Sequence, residues 1–240
     1  MHMHHIPFTS GTRKISGQYF PVAEIAPTYA VLHIHGWQSG QDRNYSFAEQ
    51  LVLAGIPSLT FDLSAHGESE GTLDTLSRKD FFDDVLAGYD ALTSLVPPNT
   101  KIIVHGSSFG GYQAALLSQK RRVHALILRV PADYPREGFT DVHVTRDAEK
   151  DSAWRAQRRG TESSDALLAL SVFDGAVLLV EASADTIVDH QCVQNYADVV
   201  KNSESLTYIT MMGAPHSFTH APKHKKDFIA LSLGWIRSLS

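Results

Sequence analysis

The sequence predicts an α/β protein in which a mainly parallel central sheet is covered by helices on both faces. Two observations carry this. Short apolar runs rich in β-branched residues alternate along the chain with segments whose apolar residues recur at helical spacing. Some of those runs, such as Lys101-Ile-Ile-Val-His105, are apolar without alternation, which is how strands buried on both faces read. With 240 residues and 43% hydrophobic content, the chain can bury a large core, and it is read as one domain over 1–240.

Each element follows from its residues. The stretch to Phe20 lacks helical periodicity and is expected to supply one or two antiparallel edge strands. Tyr29 to His35 is a strand, Asn44 to Ala54 a helix, and Ile56 to Asp62 a second strand. Ser77 can cap a helix running to Val96, with Asp80 as its capping-box partner, and Pro97-Pro98 stops it. Residues 101–105 lead through glycine into a helix beginning near Ser108, and Val123 to Val130 is the next strand. Ala176 to Val180 and Leu206 to Met211 are further strands, separated by a helix over Asp189 to Lys201. In the last helix, Pro222 suits the first turn, and Phe228, Leu231, Trp235 and Leu239 form an apolar stripe. The segment 132–170 is rich in charge and is too polar for core. It is expected to form a small helical cap over the carboxyl ends of the strands.

Composition removes several function classes. The formal net charge is -5 with both signs mixed along the chain, so there is no nucleic-acid footprint. No apolar stretch approaches a membrane span and the start lacks a signal-peptide pattern, so neither a membrane nor export is expected. Cys192 is the only cysteine, which excludes an internal disulfide and fits a reducing compartment. The expected location is the cytoplasm, and homo-oligomerisation is left open.

The chemistry concentrates at Gly106-Ser107-Ser108-Phe109-Gly110, a Gly-x-Ser-x-Gly pattern set between a strand and a helix. A serine hydroxyl is a poor nucleophile, and a sharp turn flanked by glycines presents it for activation. Ser108 occupies the apex and Ser107 the position before it. Neither a Walker lysine nor dinucleotide glycine spacing accompanies the turn, so phosphate binding is a poor alternative. His35-Gly36-Trp37 follows an earlier strand, where an oxyanion loop belongs, and the N–H groups of Trp37 and Phe109 are the natural donor pair. His33 and His35 share a strand face, but no carboxylate or cysteine at suitable spacing completes a metal site with them, so they are read as structural.

With these residues in place the chain resembles the α/β-hydrolase superfamily over nearly its whole length. Asp62-Leu-Ser-Ala-His-Gly-Glu-Ser69 is similar to the family's Asp-x-Arg-Gly-His-Gly-x-Ser loop, with Ser64 for the arginine and Ala65 for the first glycine. Asp185-Thr-Ile-Val188 resembles the strand-end pattern carrying the catalytic acid, with Ala182 for the usual glycine, and Gly213-Ala-Pro-His216 resembles the histidine loop. The resemblance implies an α/β-hydrolase fold and a triad of Ser108, Asp185 and His216 that needs no metal or organic cofactor. Asp133 is a rival acid one strand earlier, with Glu181 and Asp189 behind it. Cys192, on a helical apolar stripe, is read as core. The implied activity is hydrolysis of small or medium carboxylic esters or thioesters, as in bacterial acyl or feruloyl-type esterases with short caps. A serine peptidase-like hydrolase and a non-catalytic ligand-binding protein on the same fold are the alternatives.

Overall fold

The computed structural model describes residues 3–23, 26–200 and 206–239. In chain order the strands are β1 (His4–His5), β2 (Phe8–Ser10), β3 (Arg13–Ile15), β4 (Gly17–Phe20), β5 (Tyr29–Ile34), β6 (Ser58–Phe61), β7 (Lys101–Ser107), β8 (Ala125–Arg129), β9 (Ala176–Ala182) and β10 (Leu206–Met211). The helices are α1 (Tyr45–Leu53), α2 (Arg78–Leu95), α3 (Phe109–Ser118), α4 (Ala148–Arg155), α5 (Asp165–Ser171), α6 (His190–Val199) and α7 (Pro222–Ser238). Lys201, the expected end of the helix now seen as α6, lies outside the described residues.

Eight strands pair in the order β1-β4-β6-β5-β7-β8-β9-β10. β1, β4 and β6 pair antiparallel, and all pairs from β6 to β10 are parallel. The alternation of side chains along each strand sorts the core into two layers. Leu32, Val104, Leu126 and Leu179 meet α2, α3, α5 and α6 on one face. Val31, Ile103, Ile127 and Leu178 meet α1 and α7 on the other. The N-terminal region holds more structure than the expected one or two edge strands. β1 and β4 form that edge, while β2 and β3 make a separate hairpin around Gly11, whose φ of 58° suits glycine.

Local signals set the helix ends. At α2, Ser77 N–H donates to Asp80 Oδ2 (2.9 Å) and Asp80 N–H to Ser77 Oγ (3.2 Å), a complete capping box. Asp189 caps α6 by accepting from Gln191 N–H (2.8 Å). The buried stripe of α7 is Phe228, Ile229, Ser232, Trp235 and Ile236, rotated from the expected one; Leu231 and Leu239 are only partly buried. Residues at i, i+1, i+4, i+7 and i+8 share one helical face, and this set faces the sheet.

The segment 132–170 enters the core more deeply than its polarity suggested. α5 packs between α3 and α6 and buries Ala166, Leu167, Ala169 and Leu170, with Ser164 as its cap. Asp133, Asp151 and Arg155 are also buried. The charges of Asp151 and Arg155 are met locally, as burial of charge requires. Arg146 pairs with Asp151, the Arg155 guanidinium lies over Tyr134, and Arg78, fully buried, donates to the carbonyls of Pro135 (2.9 Å) and Glu137 (2.6 Å). No described helix is long and apolar enough to cross a membrane.

Candidate active site

Ser108 stands between β7 and α3 with φ 54° and ψ −119°, a conformation costly for any residue with a Cβ. Close packing forces it. A Cβ on Gly106 would lie 2.1 Å from the Gly110 carbonyl oxygen, and one on Gly110 would lie 2.2 Å from that of Ile34, so neither position admits a side chain. The apex is further stitched to β8: Ser108 N–H donates to the Arg129 carbonyl (3.0 Å), and Ala132 N–H to the Ser108 carbonyl (3.0 Å). The hydroxyl is thus held at the carboxyl edge of the sheet, where open α/β sheets place their ligands.

His216 lies in the loop after β10, and its Nδ1 donates to Asp185 Oδ2 at 2.7 Å. Asp185 Oδ1 accepts from the N–H groups of Ile187 (2.8 Å) and Val188 (2.9 Å), so the carboxylate is fixed before it meets the imidazole. Burial works against its charge, but the bonds from His216, Val188 and Ile187 outweigh it and hold the carboxyl below its ordinary value. The Asp185 bond leaves Nε2 of His216 as the basic nitrogen. Ser108 and His216 line one cavity of about 390 Å³, although no hydrogen bond between their side chains is formed in this structure. Nucleophile–base contacts commonly tighten only around a substrate.

The loop at Trp37 is held at both ends by histidines. His35 Nδ1 donates to the Gly36 carbonyl (2.8 Å) while its Nε2 accepts from Leu63 N–H (2.9 Å), and burial pushes its pKa down to about 4. His66 Nδ1 donates to the Ser64 carbonyl (2.9 Å), and its Nε2 accepts from Gln38 N–H (3.2 Å). The indole of Trp37 packs edge-on against His143, with 4.4 Å between ring centroids, and against Phe81 and Phe109. The N–H groups of Trp37 and Phe109 find no hydrogen-bond partner among the described residues. The first N–H groups of a helix lack intrahelical partners, and Phe109 opens α3.

The other singled-out residues are engaged elsewhere. Asp133 Oδ1 accepts from Ser164 Oγ (2.6 Å), its Oδ2 has no partner among the described residues, and burial raises its pKa to about 7. Glu181 bonds Tyr208 (2.8 Å), Thr210 (2.9 Å) and His190, and Asp189 is a helix cap. None of the three is bonded to His216. Ser107 Oγ faces Arg129 Nε (3.1 Å). His33 and His105 face each other through their Nδ1 atoms at 3.0 Å, deep in the sheet, and Cys192 is fully buried. Asp62 organises its loop by accepting from Gln41 N–H (2.8 Å) and Gln41 Nε2 (2.9 Å). Beside Ser64, Arg13 supplies a guanidinium, with Nε donating to Ser64 Oγ (2.7 Å) and Nη2 to Asp84 Oδ1 (3.2 Å).

Two features were not singled out in the sequence. No described residue of 132–170 lines the cavity; His143 instead braces the back of Trp37. Arg129, at the carboxyl end of β8, does line it. Its signal was available as a single charge closing the apolar run Ala125-Leu-Ile-Leu-Arg129.

Comparison with known proteins gives this geometry a context. A family model described as serine aminopeptidase, S33 (Hydrolase_4) matches residues 25–164. A quorum-quenching protein, AidA, of Acinetobacter baumannii is 31% identical over 133 residues, a match covering 52% of this chain and 43% of that protein. The chain therefore spans less than half the length of that curated relative. Among solved structures, the esterase Est1E of Butyrivibrio proteoclasticus with bound ferulic acid superposes with a TM-score of 0.71 at 18% identity, covering 97% of this chain and 100% of that one. A predicted CIB-like hydrolase of Thermoplasma acidophilum gives 0.70 at 13% identity, covering 100% of both chains. The Pyrococcus furiosus esterase Pf2001 gives 0.67 at 19% identity, covering 95% and 91%. At these identities the structural likeness shows the fold.

Proposed function

The chain belongs to the serine aminopeptidase S33 family of α/β-hydrolases, and from that premise we propose that it is a serine hydrolase cleaving carboxylic esters or thioesters of small to medium acyl groups. One observation supports this above the rest: the His216–Asp185 pair opens onto the cavity that also holds Ser108 at its strained apex. Ser108 Oγ attacks the carbonyl carbon as His216 Nε2 takes its proton. The N–H groups of Trp37 and Phe109 receive the negative charge that develops on the carbonyl oxygen. The tetrahedral species collapses, the alcohol or thiol leaves with the proton from His216, and an acyl-Ser108 remains. Water, activated by the same imidazole, attacks that ester, and the second collapse returns Ser108. Asp185 keeps the imidazole in the tautomer with Nδ1 protonated and offsets its charge when both nitrogens are protonated. These groups supply nucleophile, base and oxyanion donors, so the reaction needs no metal or cofactor.

The aminopeptidase reading that the family description suggests fits the cavity less well. A free α-amino group is a cation, and the described residues lining the cavity include Arg43, Arg129 and Lys225 but no aspartate or glutamate. A non-catalytic binding protein would not need a strained serine beside an oriented imidazole. The test is turnover of p-nitrophenyl esters of increasing acyl length. Many turnovers per protein molecule, falling off at long chains, are expected; saturable binding without turnover of any ester would overturn the proposal.

A further inference from the structure

The charged side chains that line the cavity are basic, and the most buried of them is Arg129. Arg129 is 9% exposed and makes no ion pair among the described residues. Burial lowers its pKa to about 10, against the attraction of nearby Asp185. Its Nε donates to Ser107 Oγ (3.1 Å), its Nη1 to the His216 carbonyl (2.8 Å), and its Cζ lies 4.4 Å from the centroid of the Phe218 ring. Nη2 has no protein partner among the described residues. Holding two neutral oxygens does not require a cation, and a desolvated charge without a directly paired counter-charge is costly. The arrangement leaves one donor edge for a ligand. At the rim, Lys225 also makes no ion pair among the described residues, and Arg43 donates to Thr219 Oγ1 (3.2 Å) while Asp42 stands 3.9 Å away on its exposed side.

We infer that the substrate is an ester carrying a carboxylate a few bonds from the scissile carbonyl, received by Arg129 inside the cavity and by Lys225 and Arg43 at its rim. The inference rests on the ester-hydrolase reading above. A planar guanidinium matches a carboxylate in geometry as well as charge, and a monoanion supplies the direct ion-pair partner that Arg129 does not find among the described residues. The short separation follows from the bond between Arg129 and Ser107, the neighbour of the nucleophile.

The test compares 4-nitrophenyl hydrogen adipate with the uncharged 4-nitrophenyl hexanoate by kcat/KM in each variant. In the unmodified protein the charged ester should be favoured by about tenfold or more, as one charge-assisted contact implies. Raising salt should shrink the preference. Arg129→Met should lower the ratio by about tenfold, Arg129→Lys should keep part of it, and Lys225→Met should lower it several-fold. Because Arg129 also holds the His216 carbonyl, the ratio within a variant is the readout, and Lys225→Met probes the same charge from a helix outside the histidine loop. A ratio near one in the unmodified protein, or one unchanged in Arg129→Met, would overturn the inference. Should neither ester turn over, protection of Ser108 from a fluorophosphonate is compared: adipate should protect at lower concentration than adipamide, and equal protection overturns the inference. Labelling without any charge preference removes this inference alone, whereas absence of both labelling and turnover removes the ester-hydrolase reading with it.

Discussion

Replacing Asp185 by asparagine keeps the size of the side chain and two of its three hydrogen bonds. The amide oxygen of the substituted side chain can still accept from Ile187 and Val188, whose N–H groups hold the native carboxylate at 2.8 and 2.9 Å. The remaining position, 2.7 Å from His216 Nδ1, would then be an NH2 donor facing a donor. The imidazole must present Nδ1 as acceptor and carry its proton on Nε2, so it cannot take the proton of Ser108. In a serine protease triad this exchange lowers kcat by about four orders of magnitude, and a loss of that size is expected here with little change in KM. The control is Asp133→Asn, whose carboxyl meets Ser164 instead of His216 and should cost about tenfold at most. The assay is steady-state hydrolysis of a p-nitrophenyl ester near neutral pH, on samples shown by circular dichroism to be equally folded. An active Asp185→Asn beside a crippled Asp133→Asn would refute the assignment of the acid while leaving Ser108 and His216 in place.

Three further outcomes follow from local geometry. Asp133 has a folded pKa of about 7 against an ordinary 3.8, so its ionisation is opposed in the folded state and its presence increasingly costs stability as pH rises from about 4 to 7. Asp133→Asn removes that cost, and its stability relative to the unmodified protein should be about 3 kcal/mol more favourable at pH 8 than at pH 5 by urea unfolding; a pH-independent difference would contradict the shift. His66→Ala deprives Gln38 N–H of its acceptor and Trp37 of a packing partner, and kcat should fall by about 10- to 100-fold through a loosened oxyanion loop. An unchanged kcat would separate His66 from that loop. Gly110→Ala places a methyl group 2.2 Å from the Ile34 carbonyl oxygen and should cost about 3 kcal/mol or prevent folding, read from its melting temperature.

Periodicity carried most of the fold, because strands buried on both faces and helices with one apolar stripe leave different repeats in the sequence. Boundaries moved by a residue or two where sheet pairing, not composition, decides them: Ile56 and Pro57 precede β6 although they share its apolar character. The stripe of α7 shifted because its register is set by the sheet beneath, which the helix's own sequence does not record. The turn at Ser108 was legible because only glycine tolerates the approaches at 106 and 110. Asp185, named from a strand-end pattern, is the carboxylate that meets His216; the contact joins separate loops and has no local signature. The segment 132–170 reads as more exposed than it is for a related reason. Polar composition signals exposure only when charges lack partners, and Arg78, far away in sequence, fills this region together with Arg146, Asp151 and Tyr134. The apolar spacing of Leu167 and Leu170 was the signal for α5 that the surrounding charge obscured.

The proposed reaction requires Ser108, and not its neighbour, as the nucleophile. Ser107 Oγ is bonded to Arg129, whereas Ser108 shares the cavity with the imidazole of His216. The most direct measurement is fluorophosphonate treatment of the folded protein, followed by proteolysis and mass spectrometry of the peptide carrying both serines. One adduct per chain is expected on Ser108, retained in Ser107→Ala and absent in Ser108→Ala. An adduct on Ser107, or labelling that persists in Ser108→Ala, would contradict it.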